Sequence, residues 1–224
     1  MFLVFDLDGT LIDGYDGITD ALGHAMERLG REPLPLETVR GMVGEGLERL
    51  IEKALGPAHV SDGVRLFRSR YAQIVDEKTR LMPGVPEVLA RLAAAGYPMG
   101  VASNKPADFS RRILTVKGIG ERFVGIVGPG PDIPAKPHPE MLRRLMRDAG
   151  AEPGETTVVG DMEIDAEFAR AAGCRAVLVA GGSRSEEELA RVPADGHLSR
   201  ISELPDWIDR VGEKSEPARP RISR

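Results

Sequence analysis

Two carboxylates, Asp6 and Asp8, stand two residues apart in the segment Asp6-Leu7-Asp8-Gly9-Thr10, directly after the apolar run Phe2–Phe5. If that run is a strand of an open parallel sheet, its carboxyl end borders the crevice where ligands bind, and both acids can face it. One carboxylate can then attack an electrophile while the other moves protons. Taken alone, the segment is also compatible with a solvated Asp-Gly turn. A second acidic group, Gly160-Asp161-Met162-Glu163-Ile164-Asp165, follows the run Thr157–Val159. By itself it reads first as a helix start, with Asp161 as N-cap and the early acids favoured by the helix dipole. Together with Asp6 and Asp8 it becomes a set of hard oxygen donors. Such a set suits magnesium, which keeps several waters and also binds phosphate oxygens.

Two basic or hydroxyl-bearing pieces lie between these acids. Ser103-Asn104-Lys105 follows the run Met99–Ala102; its hydroxyl and backbone amides could bind a phosphate oxygen, or simply cap a helix. Lys136 sits between Pro134 and Pro137, on a stiff loop able to aim an ammonium group. A surface lysine is ordinarily just solvated, so it gains meaning only beside the other three segments.

The elements that must position these residues follow from periodicity. Phe2–Phe5, Met99–Ala102, Phe123–Val127, Thr157–Val159 and Ala176–Val179 are continuous apolar runs of the length of buried strands. Between the last four lie amphipathic helical patterns, so the expectation is an α/β fold with a doubly wound parallel sheet. About eighty residues separate the first run from the second, far more than one crossover helix needs. Ile18–Leu29, Leu47–Leu55 and Val64–Val75 are amphipathic there. The expected division is a core from residues 1–14 and 81–212 and a small helical cap from residues 15–80, with exits at Asp13-Gly14 and Met82-Pro83-Gly84. Residues 213–224 are charged and proline-bearing, the composition of a disordered tail.

The 224 residues are 42% hydrophobic and 29% charged, with a net charge of −5. That is enough apolar matter for a core and excludes any general attraction to nucleic acid or anionic membranes. An anionic ligand must therefore be held by local cations. The one cysteine, Cys174, allows no internal disulfide and fits a reducing cytoplasm. The apolar run at the N-terminus is too short for a signal peptide or a membrane span. The four histidines have no metal-ligand spacing, and no G-x-x-x-x-G-K-[ST], G-x-S-x-G or H-E-x-x-H segment is present.

The order Asp-x-Asp-Gly-Thr, Ser-Asn-Lys, Lys-Pro, Gly-Asp-x-x-x-Asp, each near a strand end, resembles the haloacid dehalogenase superfamily of phosphohydrolases, over the chain up to about Val211. The resemblance implies a Rossmann-like core with a helical cap, Mg²⁺ as cofactor, and a small phosphorylated metabolite as substrate. Carried onto this sequence, it makes Asp6 the nucleophile that forms an aspartyl phosphate and Asp8 the acid and base. Asp6, the Asp8 backbone carbonyl and Asp161 would hold the metal, with Thr10 and Asp165 in support. Ser103, Asn104 and Lys136 would bind the phosphoryl group. The presence of Asp8 separates the chain from the true dehalogenases, which lack that carboxylate, and from the ion-pumping ATPases, which carry a threonine there. A phosphomutase of the same superfamily and a non-enzymatic phospho-receiver-type domain stay open as alternatives. In the cap, Gly44 and Gly46 stand in a glycine-rich turn flanked by Arg40 and Arg49. The resemblance makes this turn the specificity loop, with the arginines available to pair with a substrate carboxylate. The overall pattern looks most like phosphoglycolate phosphatases, which implies that 2-phosphoglycolate is among the better substrates.

Overall fold

The computed structural model of the chain describes residues 1–215. Its strands and helices, in chain order, begin with Phe2–Phe5 (β1) and Ile12–Asp13 (β2). The segment that follows is helical: Tyr15–Arg28 (α1), Leu36–Met42 (α2), Leu47–Leu55 (α3) and Val60–Lys78 (α4). The chain returns through Arg80–Leu81 (β3) to Val85–Ala94 (α5), Met99–Ala102 (β4), Ala107–Val116 (α6) and Gly125–Val127 (β5). It continues as Glu140–Ala149 (α7), Thr156–Gly160 (β6), Glu163–Ala171 (α8), Arg175–Val179 (β7), Glu186–Leu189 (α9), Gly196–Leu198 (β8) and Leu204–Ser215 (α10). The last helix therefore takes in the first residues of the expected tail; residues 216–224 of that tail lie outside the described residues.

Six strands form one parallel sheet in the order β5-β4-β1-β6-β7-β8. All four residues of β1 are buried, because helices cover both faces of the sheet. Their side chains alternate as strand geometry requires: Leu3 and Phe5 join one apolar cluster, Phe2 and Val4 the other. The first cluster runs on from α5, α6 and α10 into the helical segment through Ile18, Leu22, Leu50 and Phe67. The second is built under α7 and α8 by Met141, Leu142, Leu145, Ala166 and Phe168. The spacing of Met141, Leu142, Leu145 and Met146 is the i, i+1, i+4, i+5 stripe that turns one face of α7 inward.

From β1 the chain builds outward to β4 and β5, then crosses back to lay β6, β7 and β8 on the other side. The carboxyl end of β1 is thus the switch point of a doubly wound sheet, where a crevice opens. The helical segment leaves and returns through β2 and β3, which pair antiparallel as Ile12 with Leu81 and Asp13 with Arg80.

Candidate active site

Asp6 follows β1, Ser103 follows β4, Asp161 follows β6, and Lys136 lies on the loop between β5 and α7. All four stand at the carboxyl edge of the sheet, on neighbouring strands or the loops leaving them. Lys136 is buried, with Nζ 2.7 Å from Asp6 Oδ1 and 2.8 Å from Asp165 Oδ1. Burial alone would lower its pKa, but the Asp165 and Asp6 carboxylates outweigh it and hold the ammonium above the usual lysine range.

Carboxylate oxygens of Asp6, Asp161 and Asp165 lie within 4.8 Å of one another. Asp161 is fully buried, accepting from Ser183 N at 2.6 Å and from Thr10 Oγ1 at 3.3 Å. Burial, then the charges of Asp6 and Asp165, push its carboxyl up to about 8. This crowding is the fit test for a cation. Asp6, Asp8, Asp161 and Asp165 are four carboxylates against the two ammonium groups of Lys105 and Lys136, and the donors are hard oxygens. A divalent ion of the magnesium type would supply the missing positive charge, and the hard oxygen donors suit it.

The Asp8 side chain stands outside that cluster. Both of its oxygens accept from Lys105 Nζ, at 3.1 and 3.0 Å. Burial pushes the Asp8 carboxyl up, and Lys105 offsets this only in part. Gly9, beside it, has φ +84°, and a Cβ there would stand 2.2 Å from Asp161 Oδ2. Only glycine allows both the left-handed backbone and that approach.

A cavity of about 60 Å³ opens over these groups. From the sheet edge it is lined by Asp6, Asp8, Ser103, Asn104, Lys105 and Met162. From the helical segment come Gly44, Gly46, Leu47, Leu50, Phe67 and Tyr71. Apart from the acids, Ser103 and Lys105, the wall is largely apolar. Gly44 and Gly46 of the glycine-rich turn thus line the cavity.

The predicted partners distribute unevenly. Asn104 acts as a brace: Nδ2 donates to Gly44 O at 2.8 Å and Oδ1 accepts from Lys136 N at 2.7 Å. Its amide joins the helical segment to the lysine loop rather than turning to a phosphate. Arg40 lies over the Tyr15 ring, 4.3 Å from its centroid, and donates to Gly182 O. Arg49 is half-exposed and pairs with Glu45 and Glu52 on the outer face of α3. Neither arginine lines the cavity, so the expected pairing of either with a substrate carboxylate is replaced by these local contacts.

Three further participants were not singled out from the sequence: Lys105, Tyr71 and Ser183. Lys105 stands inside a segment read for its serine and asparagine. Ser183 follows Gly181-Gly182 after β7, and that doublet was a legible signal. A Cβ on Gly182 would stand 2.2 Å from Asp161 Oδ2 and 2.5 Å from Gly9 O, so the loop that brings Ser183 N to Asp161 requires glycine there.

Residues 3–179 match the family model described as haloacid dehalogenase-like hydrolase. The phosphoglycolate phosphatase of Yersinia pseudotuberculosis is 34% identical over 209 residues, 90% of this chain and 90% of that one. The phosphoglycolate phosphatase of Rhodospirillum rubrum is 34% identical over 228 residues, covering 94% of each. Among solved structures, a predicted phosphoglycolate phosphatase from Haemophilus somnus superposes with a TM-score of 0.86 at 26% identity. That match covers 92% of this chain and 97% of the other.

Proposed function

Because the chain belongs to the haloacid dehalogenase-like hydrolase family and is a phosphatase, we propose that it hydrolyses a small phosphomonoester through a covalent phosphate on Asp6. An Asp6 carboxylate oxygen attacks phosphorus, and the bond from phosphorus to the ester oxygen breaks. Asp8 gives its proton to that leaving oxygen. A water then attacks the same phosphorus and passes a proton back to Asp8; phosphate departs and the Asp6 carboxylate is restored. Lys136 and Ser103 hold the transferring phosphoryl oxygens. Phosphoryl transfer needs mainly positioning and charge neutralisation, which these groups offer. Magnesium held by Asp6, the Asp8 backbone carbonyl and Asp161, with Asp165 and Thr10 in support, would supply further neutralisation of the phosphate charge. The observation that carries this reading is the convergence of Lys136 on Asp6 beside the Asp161 and Asp165 carboxylates.

The names of the curated relatives, the small cavity and the one cation in its lining, Lys105, support 2-phosphoglycolate as a substrate. A sugar phosphate would bring several hydroxyls against Leu47, Leu50 and Phe67 with few partners there, at a desolvation cost for each. No helix among the described residues is long and apolar enough to cross a membrane, and we place the substrate among small phosphorylated metabolites of the cytoplasm. The test is phosphate release from a panel of phosphomonoesters with magnesium and with chelator. 2-Phosphoglycolate should rank among the better substrates, and chelator should stop the reaction. Release that continues in excess chelator defeats the metal assignment. Sugar phosphates or nucleotides turned over far faster than 2-phosphoglycolate defeat the substrate.

A further inference from the structure

We propose that Lys105 is the specificity-determining residue of this site. Its ammonium would receive a carboxylate carried by the leaving group, and in doing so release Asp8. The inference rests on the phosphatase reading above and deepens it.

Among the residues that line the cavity, Lys105 is the only cation. Lys136 is already enclosed by Asp6 and Asp165. The Lys105 side chain is 6% exposed and its Nζ lies 4.9 Å from the centroid of the Tyr71 ring. Around it, Ile18, Leu47, Leu50, Phe67 and Phe109 offer no polar partner to a substrate group. Tyr71 lines this corner, and Thr79 lies behind it. Tyr71 Oη and Thr79 Oγ1 are buried and make no hydrogen bond of normal geometry. Each lies 3.7 Å from the point where a Cβ on Gly14 would stand, and Asp8 Oδ1 lies 3.1 Å from it. One end of the cavity thus gathers an ammonium and a buried phenol, the donors that suit a carboxylate.

The position of Lys105 relative to Asp8 gives the second half. Asp8 must reach the ester oxygen, yet both of its oxygens are held by Lys105. A substrate carboxylate reaching the ammonium competes for those same donors. A leaving group with a carboxylate would therefore both dock and free the acid; a neutral one would leave Asp8 tethered.

The test compares 2-phosphoglycolate with 2-hydroxyethyl phosphate, in which the carboxylate becomes a neutral CH₂OH, in wild type and in Lys105→Met. Wild type should favour 2-phosphoglycolate in kcat/KM by about 10–100-fold, the range of a hydrogen bond to a charged group. In Lys105→Met the ratio should fall to within about threefold of one. A folded variant that slows on both substrates by the same factor, with the ratio kept, would show that Lys105 only positions Asp8 and would overturn the proposal. So would a wild type without preference. Failure of wild type to release phosphate from either ester in magnesium would instead strike the phosphatase reading. If Lys105→Met does not fold, wild type turning over p-nitrophenyl phosphate decides the matter. Glycolate should then inhibit competitively while ethylene glycol does not, and equal effects of the two would refute the assignment.

Discussion

Magnesium should stabilise this protein far more at high pH than at low pH, and the size of the difference follows from Asp161. Without metal, burial and the charges of Asp6 and Asp165 push that carboxyl up to about 8, against ~3.9 in an unfolded chain. A folded pKa above the unfolded one means that the fold favours the protonated form. The contribution is complete below pH ~4 and is lost as pH rises through about 8. A cation bound to the carboxylate must displace that proton, so apparent affinity follows the ionised fraction. That fraction is ~1% at pH 6 and ~90% at pH 9 for a pKa of about 8, a change of roughly 100-fold in affinity. Magnesium at ~100 times its dissociation constant at pH 9 stabilises by ~2.7 kcal/mol. The same concentration at pH 6 lies near one dissociation constant and gives ~0.4 kcal/mol. In a chain of 224 residues each kcal/mol moves Tm by ~2–4 °C. The expected shifts are ~5–11 °C at pH 9 and ~1–2 °C at pH 6. Thermal unfolding with and without magnesium, against a chelator baseline at fixed ionic strength, measures both. Calorimetry in two buffers of different ionisation enthalpy counts the proton released. Equal shifts at the two pH values, or none at either, would refute the reasoning; Asp161→Asn should remove the pH dependence along with most of the affinity.

Asp6→Asn should abolish phosphate release while circular dichroism and a cooperative melt show an intact fold, since the amide keeps the shape but not the nucleophile; residual turnover near wild type would exclude a covalent phosphate on Asp6. Asp8→Asn should slow alkyl phosphates by about 10²–10⁴-fold and aryl phosphates, with their better leaving groups, by less; an equal loss on both argues against leaving-group protonation by Asp8. Arg49→Ala removes an exposed pair with Glu45 and Glu52 and should leave kcat/KM on 2-phosphoglycolate within about twofold, because exposed pairs are worth under ~1 kcal/mol. A tenfold loss would mean that the cap rearranges to bring that guanidinium to the substrate.

The apolar runs of the core strands were legible because a strand covered on both faces must be largely apolar, as Phe2–Phe5 and Val158–Val159 are. Gly196–Leu198 escaped notice because only Leu198 is buried in that three-residue edge strand, too little for a period. The acids and Lys136 could be read because their spacing from strand ends is local. Lys105 could not: its partner Asp8 is 97 positions away, and Tyr71 reaches it from α4. Only the way α4 lies against the sheet edge brings the three together. Arg49 went the other way. Glu45 and Glu52 stand four residues before it and three after it, the helical spacing of local ion pairs, and that pattern outweighed the nearness of the glycine turn.

The short ribbon of Ile12–Asp13 against Arg80–Leu81 makes the molecule modular in a way its chemistry does not require. A ladder pair keeps the two crossings roughly 5 Å apart, so the sheet sees the whole intervening stretch as one loop with fixed ends. Closure entropy grows only slowly with loop length, and the strand order around β1 does not depend on what is spliced between the crossings. Exchange of that stretch for a longer, shorter or differently folded one therefore leaves Asp6, Lys136 and Asp161 in register. What an exchange would forfeit is Tyr71, Thr79, the Gly44 carbonyl that Asn104 holds and the apolar half of the cavity. The helical stretch's share in shaping the cavity can thus be exchanged separately from the capacity to handle phosphate, while Lys105 stays with the sheet.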